Sequence, residues 1–120
     1  MESYQLCDSE YRFMQVVWAA APVSSGDLVK LCAAQLGWKK STTYTVLKKL
    51  CEKGLLQNRN AQVTVLAPKE AVTASEAEGF VDRTFGGSLP MFLTAFMSGR
   101  KLSDGEAEEL KRLIDAHREG

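Results

Sequence analysis

The chain has 120 residues, of which 45% are hydrophobic and 25% are charged, a composition typical of one small globular domain or of a domain with an appendage. Its 15 basic residues balance its 15 acidic residues, which excludes a protein that binds polyanions through its overall charge. No apolar run approaches the roughly 20 residues of a membrane-spanning helix, and the N-terminus lacks a signal-peptide pattern, so we expect a cytoplasmic protein without membrane insertion.

Hydrophobic residues at helical spacing predict two helices in the first third of the chain. The first runs from Asp8 to Ala21 and is ended by Pro22. Ser24 then has the side chain and the position of a helix N-cap, and the second helix follows it until Gly37. These are the first two of three short helices.

A third helix is predicted from Lys40 to Lys53, with Gly54 ending it. On a helical wheel, its hydrophobic residues lie on one side and its lysines and hydroxyl side chains lie on the other. The side predicted to be buried contains Thr43, Val46, Leu47 and Leu50. The side predicted to be exposed contains Ser41, Thr42, Tyr44, Thr45, Lys48 and Lys49.

After Gly54 the hydrophobic period changes from helical to alternating, which predicts two strands. The first begins at Leu55, a polar turn follows at residues 58–61, and Pro68 ends the second. Three helices followed by a two-stranded β wing form a winged helix-turn-helix. We therefore predict a mainly α (α+β) fold.

Three more helices are predicted after the hairpin. A capping box at Thr73 starts the first, Ser88 starts the second and Ser103 caps the last. We therefore divide the chain into a winged-helix domain, residues 1–70, and a C-terminal helical region, residues 71–120.

Positive charge is concentrated in the third helix and the hairpin. Residues 38–59 contain six basic residues and one acidic residue, a net charge of +5. Lysines neutralise DNA phosphates, and short hydroxyl side chains approach base edges in the major groove. Basic amphipathic helices also dock on membranes or acidic partners, but the position of this helix before a hairpin favours DNA. The candidate DNA-binding residues are Lys39, Lys40, Ser41, Thr42, Tyr44, Thr45, Lys48, Lys49 and Arg59.

The C-terminal region has more apolar surface than three short helices can cover. A separate unit of about 45 residues is too small to fold stably alone, so we predict a homodimer, with a single monomeric core as the alternative. A two-fold dimer would bind a palindromic site. The candidate dimerisation residues are Val81, Phe85, Leu89, Phe92, Leu93, Phe96, Met97, Leu110, Leu113 and Ile114.

Catalytic chemistry has little support in the sequence, so we do not expect an enzyme. The single histidine, His117, lies near the end of the chain, and Cys7, Cys32 and Cys51 form neither a Cys-x-x-Cys pair nor a metal-binding pattern. No phosphate-binding loop is present, and we expect no cofactor and no metal. Cys51 is interpreted as a packed thiol, with a redox sensor as the alternative.

Four segments occur in the order that one family of regulators has them: "LCDSEYRFMQVVW", "APVSSGDLV", "GWKKSTTYTVLKKLCEKGLL" and "FVDRTFGGSLPMFLTAFMSGRKLSDGEAEELKRLID". Over nearly its whole length the chain resembles the penicillinase-repressor family of winged-helix transcriptional regulators. The resemblance implies a dimeric repressor that binds a palindromic operator in double-stranded DNA. The alternative is a winged-helix module that contacts protein rather than DNA.

The resemblance also implies roles for single residues. Thr42 and Thr45 match the threonines of the family's recognition-helix motif, and Lys49 stands where an arginine is usual. The wing departs from the family, since it lacks the usual Gly-Arg and tyrosine-rich strand and has Arg59 as its one arginine.

In the family's known sensing system, a membrane-bound metalloprotease leads to cleavage of the repressor in the helix that matches "FLTAFM". The equivalent bond here is Ala95–Phe96, where the best-known members have Asn–Phe. The resemblance therefore implies relief of repression by proteolysis, with a membrane-bound sensor metalloprotease as a partner. It leaves open whether the inducer is a β-lactam.

Overall fold

A computed structural model of the protein describes residues 4–118. In that range the chain forms six helices and three strands, which confirms the predicted winged helix with C-terminal helices. None of the described helices is long and apolar enough to cross a membrane. The helices are α1 (Asp8–Ala20), α2 (Ser25–Leu36), α3 (Lys40–Glu52), α4 (Lys69–Phe85), α5 (Leu89–Met97) and α6 (Asp104–Ala116). The strands are β1 (Val23–Ser24), β2 (Leu56–Arg59) and β3 (Gln62–Val65).

The chain divides into two compact units, one ending at Phe80 and the other beginning at Val81. The first unit thus continues beyond residue 70, where the sequence pattern put the boundary. The reason is that Val72 of α4 is fully buried in the hydrophobic core of the first unit. Residues 1–3 and 119–120, at the outer ends of the two predicted segments, lie outside the described residues.

Helix α4 begins earlier than the sequence predicts. Its first residue is Lys69, and the carbonyl of Pro68 accepts hydrogen bonds from the N–H groups of Ala71 and Val72 at 3.1 and 3.2 Å. The predicted start at Thr73 is therefore wrong, because Thr73 already lies inside the helix. The early start carries Val72 into the core.

Serine side chains cap the start of three helices, of which the caps at Ser24 and Ser103 are predicted from the sequence. The hydroxyls of Ser24, Ser88 and Ser103 each accept the N–H of the residue three positions later, at 3.0, 3.2 and 3.2 Å. Each bond satisfies a donor that the first helical turn leaves without a partner. At the end of α2, Gly37 takes the left-handed conformation with φ of 71°, which glycine adopts without steric cost.

The sheet has one strand more than predicted, since three antiparallel strands lie in the order β1-β3-β2. Strand β1 consists of Val23 and Ser24 only, and two residues are too few to show an alternating period. Strands β2 and β3 are joined by Asn60 and Ala61, both with positive φ, at 51° and 61°. This is the backbone of a two-residue hairpin turn whose twist matches that of its strands.

The core of the first unit is formed by α1, α2, α3, the hairpin and the start of α4. The ring of Phe13 stacks on that of Trp38, with centroids 5.8 Å apart and planes at 5°. Trp18 donates its indole N–H to the carbonyl of Ala67 at 3.0 Å, which holds the segment after β3 against α1. The buried hydrophobic residues are Phe13, Met14, Val16, Val17, Leu28, Cys32, Leu47, Leu50, Leu55, Leu56, Val63, Ala67 and Val72.

An ion pair between a buried carboxylate and a partly exposed lysine connects the start of α1 to the end of α3. Glu10 is 3% exposed, and its carboxylate accepts hydrogen bonds from Lys53 Nζ at 3.0 and 3.1 Å and from Cys7 N at 3.0 Å. Burial raises the pKa of this carboxyl, but the hydrogen bonds from Cys7 and Lys53 lower it by more, so the pKa lies below its ordinary value. The folded protein therefore favours the ionised carboxylate.

The second unit lacks a comparable interior. The ring of Phe92 lies edge-on to that of Phe85, with centroids 5.6 Å apart, and is tilted by 39° to that of Phe96, with centroids 5.7 Å apart. The guanidinium of Arg100 lies 4.6 Å from the Phe96 ring centroid. Among residues 81–118, however, none is buried. These aromatic contacts leave large apolar side chains at the surface of the unit.

We predict that Lys53→Met lowers the free energy of unfolding at pH 7 by about 2 kcal/mol, because a buried carboxylate loses its cation. The cost is below that of a fully buried pair, since 36% of the Lys53 side chain is exposed. A lowered carboxyl pKa contributes stability above the unfolded-state value, near 4.5, and this is lost as the pH falls through the folded-state pKa. The difference between variant and wild type should therefore be smaller in acid, below that unfolded-state value, than at pH 7. Urea unfolding at both pH values measures it.

The matched control is Lys49→Met, which removes an exposed lysine from the same helix. We expect it to change the free energy of unfolding by less than about 0.5 kcal/mol at either pH. Equal losses for the two lysine variants at pH 7 would contradict the role given to the Glu10–Lys53 pair.

Candidate DNA-binding surface

Helix α3 turns one face to the core and the other to solvent, as the helical wheel predicts. Thr43, Leu47 and Leu50 are buried, and Val46 is half-buried. Of the predicted DNA-binding residues on and beside this helix, all but one are exposed. The exposed ones are Lys39, Lys40, Ser41, Thr42, Thr45, Lys48 and Lys49.

The two threonines on the exposed face differ in the state of their hydroxyls. Thr45 Oγ1 donates a hydrogen bond to the carbonyl of Ser41, one helical turn earlier, at 2.9 Å. Thr42 Oγ1 makes no hydrogen bond within residues 4–118. A hydroxyl has one proton, so Thr45 presents a methyl group and an acceptor oxygen, whereas Thr42 can donate or accept.

The N-terminus of α3 combines two lysines with the positive end of the helix dipole. Lys39 occupies the N-cap position without a side-chain cap, Lys40 follows it, and the first turn contains no acidic residue. Uncapped N–H groups and a positive dipole end favour an anion at this place. A phosphate group is an anion of the kind that suits this place.

Tyr44 is the half-buried member of the predicted site. Its hydroxyl lies 3.4 Å from the Oγ of Ser25, the buried first residue of α2. The backbone N–H of Ser25 in turn donates to the carbonyl of Ala61 in the hairpin turn at 2.8 Å. Tyr44 thus connects α3 with α2, and Ser25 connects α2 with the wing.

The lysines between residues 38 and 59 have two different surroundings. Lys48 and Lys49 are exposed and form no ion pair in the part of the chain that the structure describes. Lys53 is paired with Glu10 at 3.0 Å and belongs to the fold instead. The positive charge available to a polyanion therefore lies at the two ends of the exposed face of α3.

Arg59 is exposed at the end of β2, in the wing. With the amide of Gln57 turned so that its oxygen faces the guanidinium, that oxygen accepts hydrogen bonds from Arg59 Nε at 3.0 Å and Nη2 at 3.2 Å. Arg59 lies directly opposite Gln62 in the register of the hairpin. The wing thus presents one cation among uncharged polar side chains.

The predicted dimerisation residues all lie in the second unit, and none is buried. Five are half-buried: Val81, Phe85, Phe92, Leu93 and Leu110. Five are exposed, by the fractions given: Leu89 (55%), Phe96 (49%), Met97 (36%), Leu113 (55%) and Ile114 (57%). The bond between Ala95 and Phe96 lies in α5, and both residues are exposed.

The cysteines have different environments. Cys7 is exposed, Cys32 is buried, and Cys51 is half-buried on α3. Burial raises the pKa of the Cys51 thiol, and Glu52 adds to this, although the backbone of Asn58 opposes it. Burial likewise raises the pKa of Cys32. Fewer thiolates mean lower reactivity, which supports the packed-thiol interpretation of Cys51. Residues 4–118 contain no group of three or more side chains suited to hold a metal ion.

Three residues important to this surface were not found from the sequence. Ser25 stands next to the recognisable cap Ser24, and only the fold reveals its contacts with Tyr44 and the hairpin. Gln57 is recognised as a hydrogen-bond partner of Arg59 only when the strand is known, because β2 places both side chains on one face. Glu10 could have been found from the sequence, because it lies three residues after the N-cap Cys7, where a capping box has its glutamate.

The sequence of this chain is similar to those of known proteins over nearly its whole length. Residues 6–116 match the model of a family described as "Penicillinase repressor". The chain is 25% identical over 118 residues to the penicillinase repressor of Bacillus licheniformis, across 95% of this chain and 92% of the relative. It is 21% identical over 118 residues to the methicillin resistance regulatory protein MecI of Staphylococcus aureus, across 95% and 96%.

A third relative, MecI of Mammaliicoccus sciuri, is 20% identical over 118 residues, across 95% of this chain and 96% of its own. These similarities extend through the winged helix and the C-terminal helices alike. The resemblance inferred from the four sequence segments is confirmed: the chain belongs to the penicillinase repressor family.

Proposed function

We propose that this protein is a transcriptional repressor that binds, as a homodimer, a palindromic operator in double-stranded DNA. The observation that carries the proposal is the exposed face of α3, where Ser41, Thr42 and Thr45 lie between two lysine pairs without an acidic residue. The names of the relatives, a penicillinase repressor and regulators of methicillin resistance, support a repressor role.

The dimensions of α3 fit the major groove. Lys40 and Lys48 are eight residues apart, which corresponds to about 12 Å along a helix axis. The major groove of B-DNA is about 12 Å wide. With α3 inserted across the groove, the lysine pairs at its two ends reach phosphates of opposite strands. The hydroxyl side chains between them then lie over the base edges.

The hydrogen-bonding state of each hydroxyl determines which base edges it can contact. Thr45 already donates to Ser41, so its oxygen accepts from the exocyclic amino group of adenine or cytosine, and its methyl group contacts a thymine methyl. Thr42 and Ser41 carry hydroxyls that can serve as donors to guanine or thymine oxygens. In this arrangement the lysines position the protein on the DNA, and the threonines determine which base sequence it prefers.

We predict that Lys48→Ala and Lys49→Ala each weaken binding to all duplexes and reduce the slope of log K against log salt concentration by about 0.9. Thr45→Val, which keeps the shape but loses the acceptor, should instead reduce discrimination at one base pair by about 1 to 3 kcal/mol. Fluorescence anisotropy on duplexes selected from a random 30-base-pair library, at several salt concentrations, measures both quantities.

Thr45→Ser provides the matched comparison, because it keeps the hydroxyl and removes the methyl group. It should retain discrimination that depends on the acceptor and lose only a thymine-methyl contact. If lysine and threonine variants changed affinity and discrimination alike, the division between positioning and reading would be wrong. Failure of the wild type to bind any duplex at about 50–100 mM salt would contradict DNA binding itself and favour a protein-interaction module.

The homodimer is proposed from the second unit. Leu113 and Ile114 of α6 and Leu89 and Phe96 of α5 are each about half exposed, although they are large and apolar. Large apolar side chains exposed together on short helices mark an interaction surface, and pairing with a second copy removes them from water. Joining two winged helices also multiplies operator affinity, because the second half-site binds intramolecularly.

We expect light scattering at about 10 μM to give a mass about twice the 13.2 kDa of one chain, since the apolar faces pair. Ile114→Glu should yield the single-chain mass, because it places a charge in the paired face. As this side chain is 57% exposed in one chain, the variant should keep its helical circular dichroism. Arg112→Glu, on an exposed neighbouring position, is the control and should remain dimeric. A monomeric wild type would contradict the dimer.

Relief of repression by cleavage of Ala95–Phe96 is the last part of the proposal, with a membrane-bound sensor metalloprotease as the partner. A protease needs an extended substrate, so α5 must unwind around the bond. Helix α5 has nine residues, none of them buried within one chain, and is followed by Ser98 and by Gly99 at φ of 77°. Opening it therefore costs only the contacts that the proposed dimer adds at Leu89 and Phe96. Short helices with few buried contacts open locally at low cost.

Limited digestion with thermolysin, a metalloprotease that cuts before large apolar residues, tests this opening. We predict that the first cut releases a fragment beginning at Phe96, identified by mass spectrometry. The Arg12–Phe13 bond is the internal control and should resist, because Phe13 is fully buried in the core. A first cut within α1 or α3 would contradict the proposed weakness of α5.

A further inference from the structure

We infer that Tyr44 is a positioning residue for base reading. Its hydroxyl acts through Ser25 to fix the angle at which α3 crosses α2, and its side chain contacts no base. The inference rests on the proposed function and extends it, because it names the residue that holds the reading threonines, Thr42 and Thr45, in place.

The side chain of Tyr44 is directed into the fold. It is half-buried and packs against the hydrophobic core of the first unit, whereas Ser41, Thr42 and Thr45 are exposed. Its hydroxyl donates a hydrogen bond to Ser25 Oγ at 3.4 Å, and Ser25 is only 6% exposed. A hydroxyl has one proton, so a tyrosine that donates it inside the fold does not also donate it to a base edge.

Ser25 is a fixed point of attachment for this hydroxyl. It is the first residue of α2, where the helix itself leaves the backbone N–H without a partner. That N–H donates to the carbonyl of Ala61 in the hairpin turn at 2.8 Å. Because Ser25 is buried and its backbone is bonded to a second element, it cannot shift without breaking contacts of the first unit.

A second polar contact joins the same two helices. Thr43 of α3 and Cys32 of α2 are both 0% exposed, and their side chains are hydrogen-bonded. Thr43 Oγ1 donates to the carbonyl of Lys39 at 3.1 Å, so it accepts from the Cys32 thiol. Cys32 and Ser25 are seven residues apart on α2, which corresponds to about 10 Å along the helix axis. Two attachments at this separation fix a crossing angle, whereas one attachment leaves a pivot.

The crossing angle affects base reading more than phosphate binding. The hydroxyls of Thr42 and Thr45 are carried on short side chains, and a hydrogen bond weakens steeply when its distance or angle departs from the preferred values. Lysines have long flexible side chains that reach phosphates from a range of helix angles. A helix held at one angle before binding also loses less conformational entropy on its preferred sequence. Loss of the Tyr44 hydroxyl should therefore lower the affinity for the preferred sequence alone.

The test compares a duplex selected by the wild-type protein from a random 30-base-pair library with an unrelated duplex of the same length. We expect Tyr44→Phe to weaken binding of the selected duplex about 3-fold for each chain, or about 10-fold for a dimer on two half-sites. This loss is at the low end for a hydrogen bond, because 3.4 Å is a long distance between two hydroxyls. Binding of the unrelated duplex and the salt dependence of both duplexes should remain those of wild type.

A double-mutant cycle separates positioning from direct contact. Ser25→Ala should reproduce the loss of Tyr44→Phe, because it removes the acceptor of the same hydrogen bond. The double variant should bind the selected duplex within about 2-fold of either single variant, since two substitutions in one interaction are not additive. A tyrosine that contacted DNA directly would instead keep its effect in the Ser25→Ala background, and the losses would multiply.

Tyr11→Phe is the matched control, because it removes the hydroxyl of a half-buried tyrosine in α1. It should bind both duplexes as wild type does. Urea unfolding of each variant shows whether it is folded in the binding buffer. A hydroxyl that only stabilised the fold would reduce binding of the selected and the unrelated duplex equally, because unfolded protein is lost to both.

Three results would overturn the inference. The first is an equal loss of affinity for both duplexes in Tyr44→Phe, and the second is a Ser25→Ala variant that keeps wild-type affinity for the selected duplex. The third is multiplication of the two losses in the double variant. If the library yields no enriched duplex, the repressor proposal fails together with this one, whereas enrichment followed by any of these three results contradicts the positioning role alone.

Discussion

The rotation of α3 about its own axis is the constraint on which the candidate surface depends. Leu47 and Leu50 are 2% and 0% exposed, and successive residues of a helix are about 100° apart, so these two side chains fix the direction of every other one. Turning the helix by one residue would bring Lys48 into the core. The Glu10–Lys53 pair secures the end of the same helix against α1. Hydrophobic burial on the inner face therefore determines which hydroxyls and lysines are presented outside.

Sequence patterns predicted this arrangement wherever a periodic signal was long enough. The 13 residues of α3 contain nearly four turns, so the separation of Leu47 from Thr45 could be predicted. Strand β1, with two residues, has no measurable period, and it is recognised only by its pairing with β3. The start of α4 was misplaced because a good local cap at Thr73 competed with the burial of Val72, and tertiary packing prevailed.

The two units are both small, and they differ in how much apolar surface they bury. The first buries a set of apolar side chains from four helices and a hairpin, and it adds a hydrogen-bonded ion pair. The second has aromatic contacts around Phe92 but no buried residue in its described part. Its apolar area can contribute to stability only when something covers it. The charge is also unevenly distributed, because residues 38–59 have an excess of cations although the charges of the whole chain balance.

The lysines at the start of α3 have a consequence for evolution and engineering. Lys39 at the N-cap and Lys40 beside it oppose the helix dipole, so this end of the helix is less stable than a serine or aspartate cap would make it. A substitution that relieved this conflict would stabilise the isolated protein and at the same time remove its attraction for a phosphate. On the proposed DNA-binding surface, stability and binding are therefore opposed at this turn, and selection for thermal resistance alone would produce a more stable protein that binds DNA less tightly.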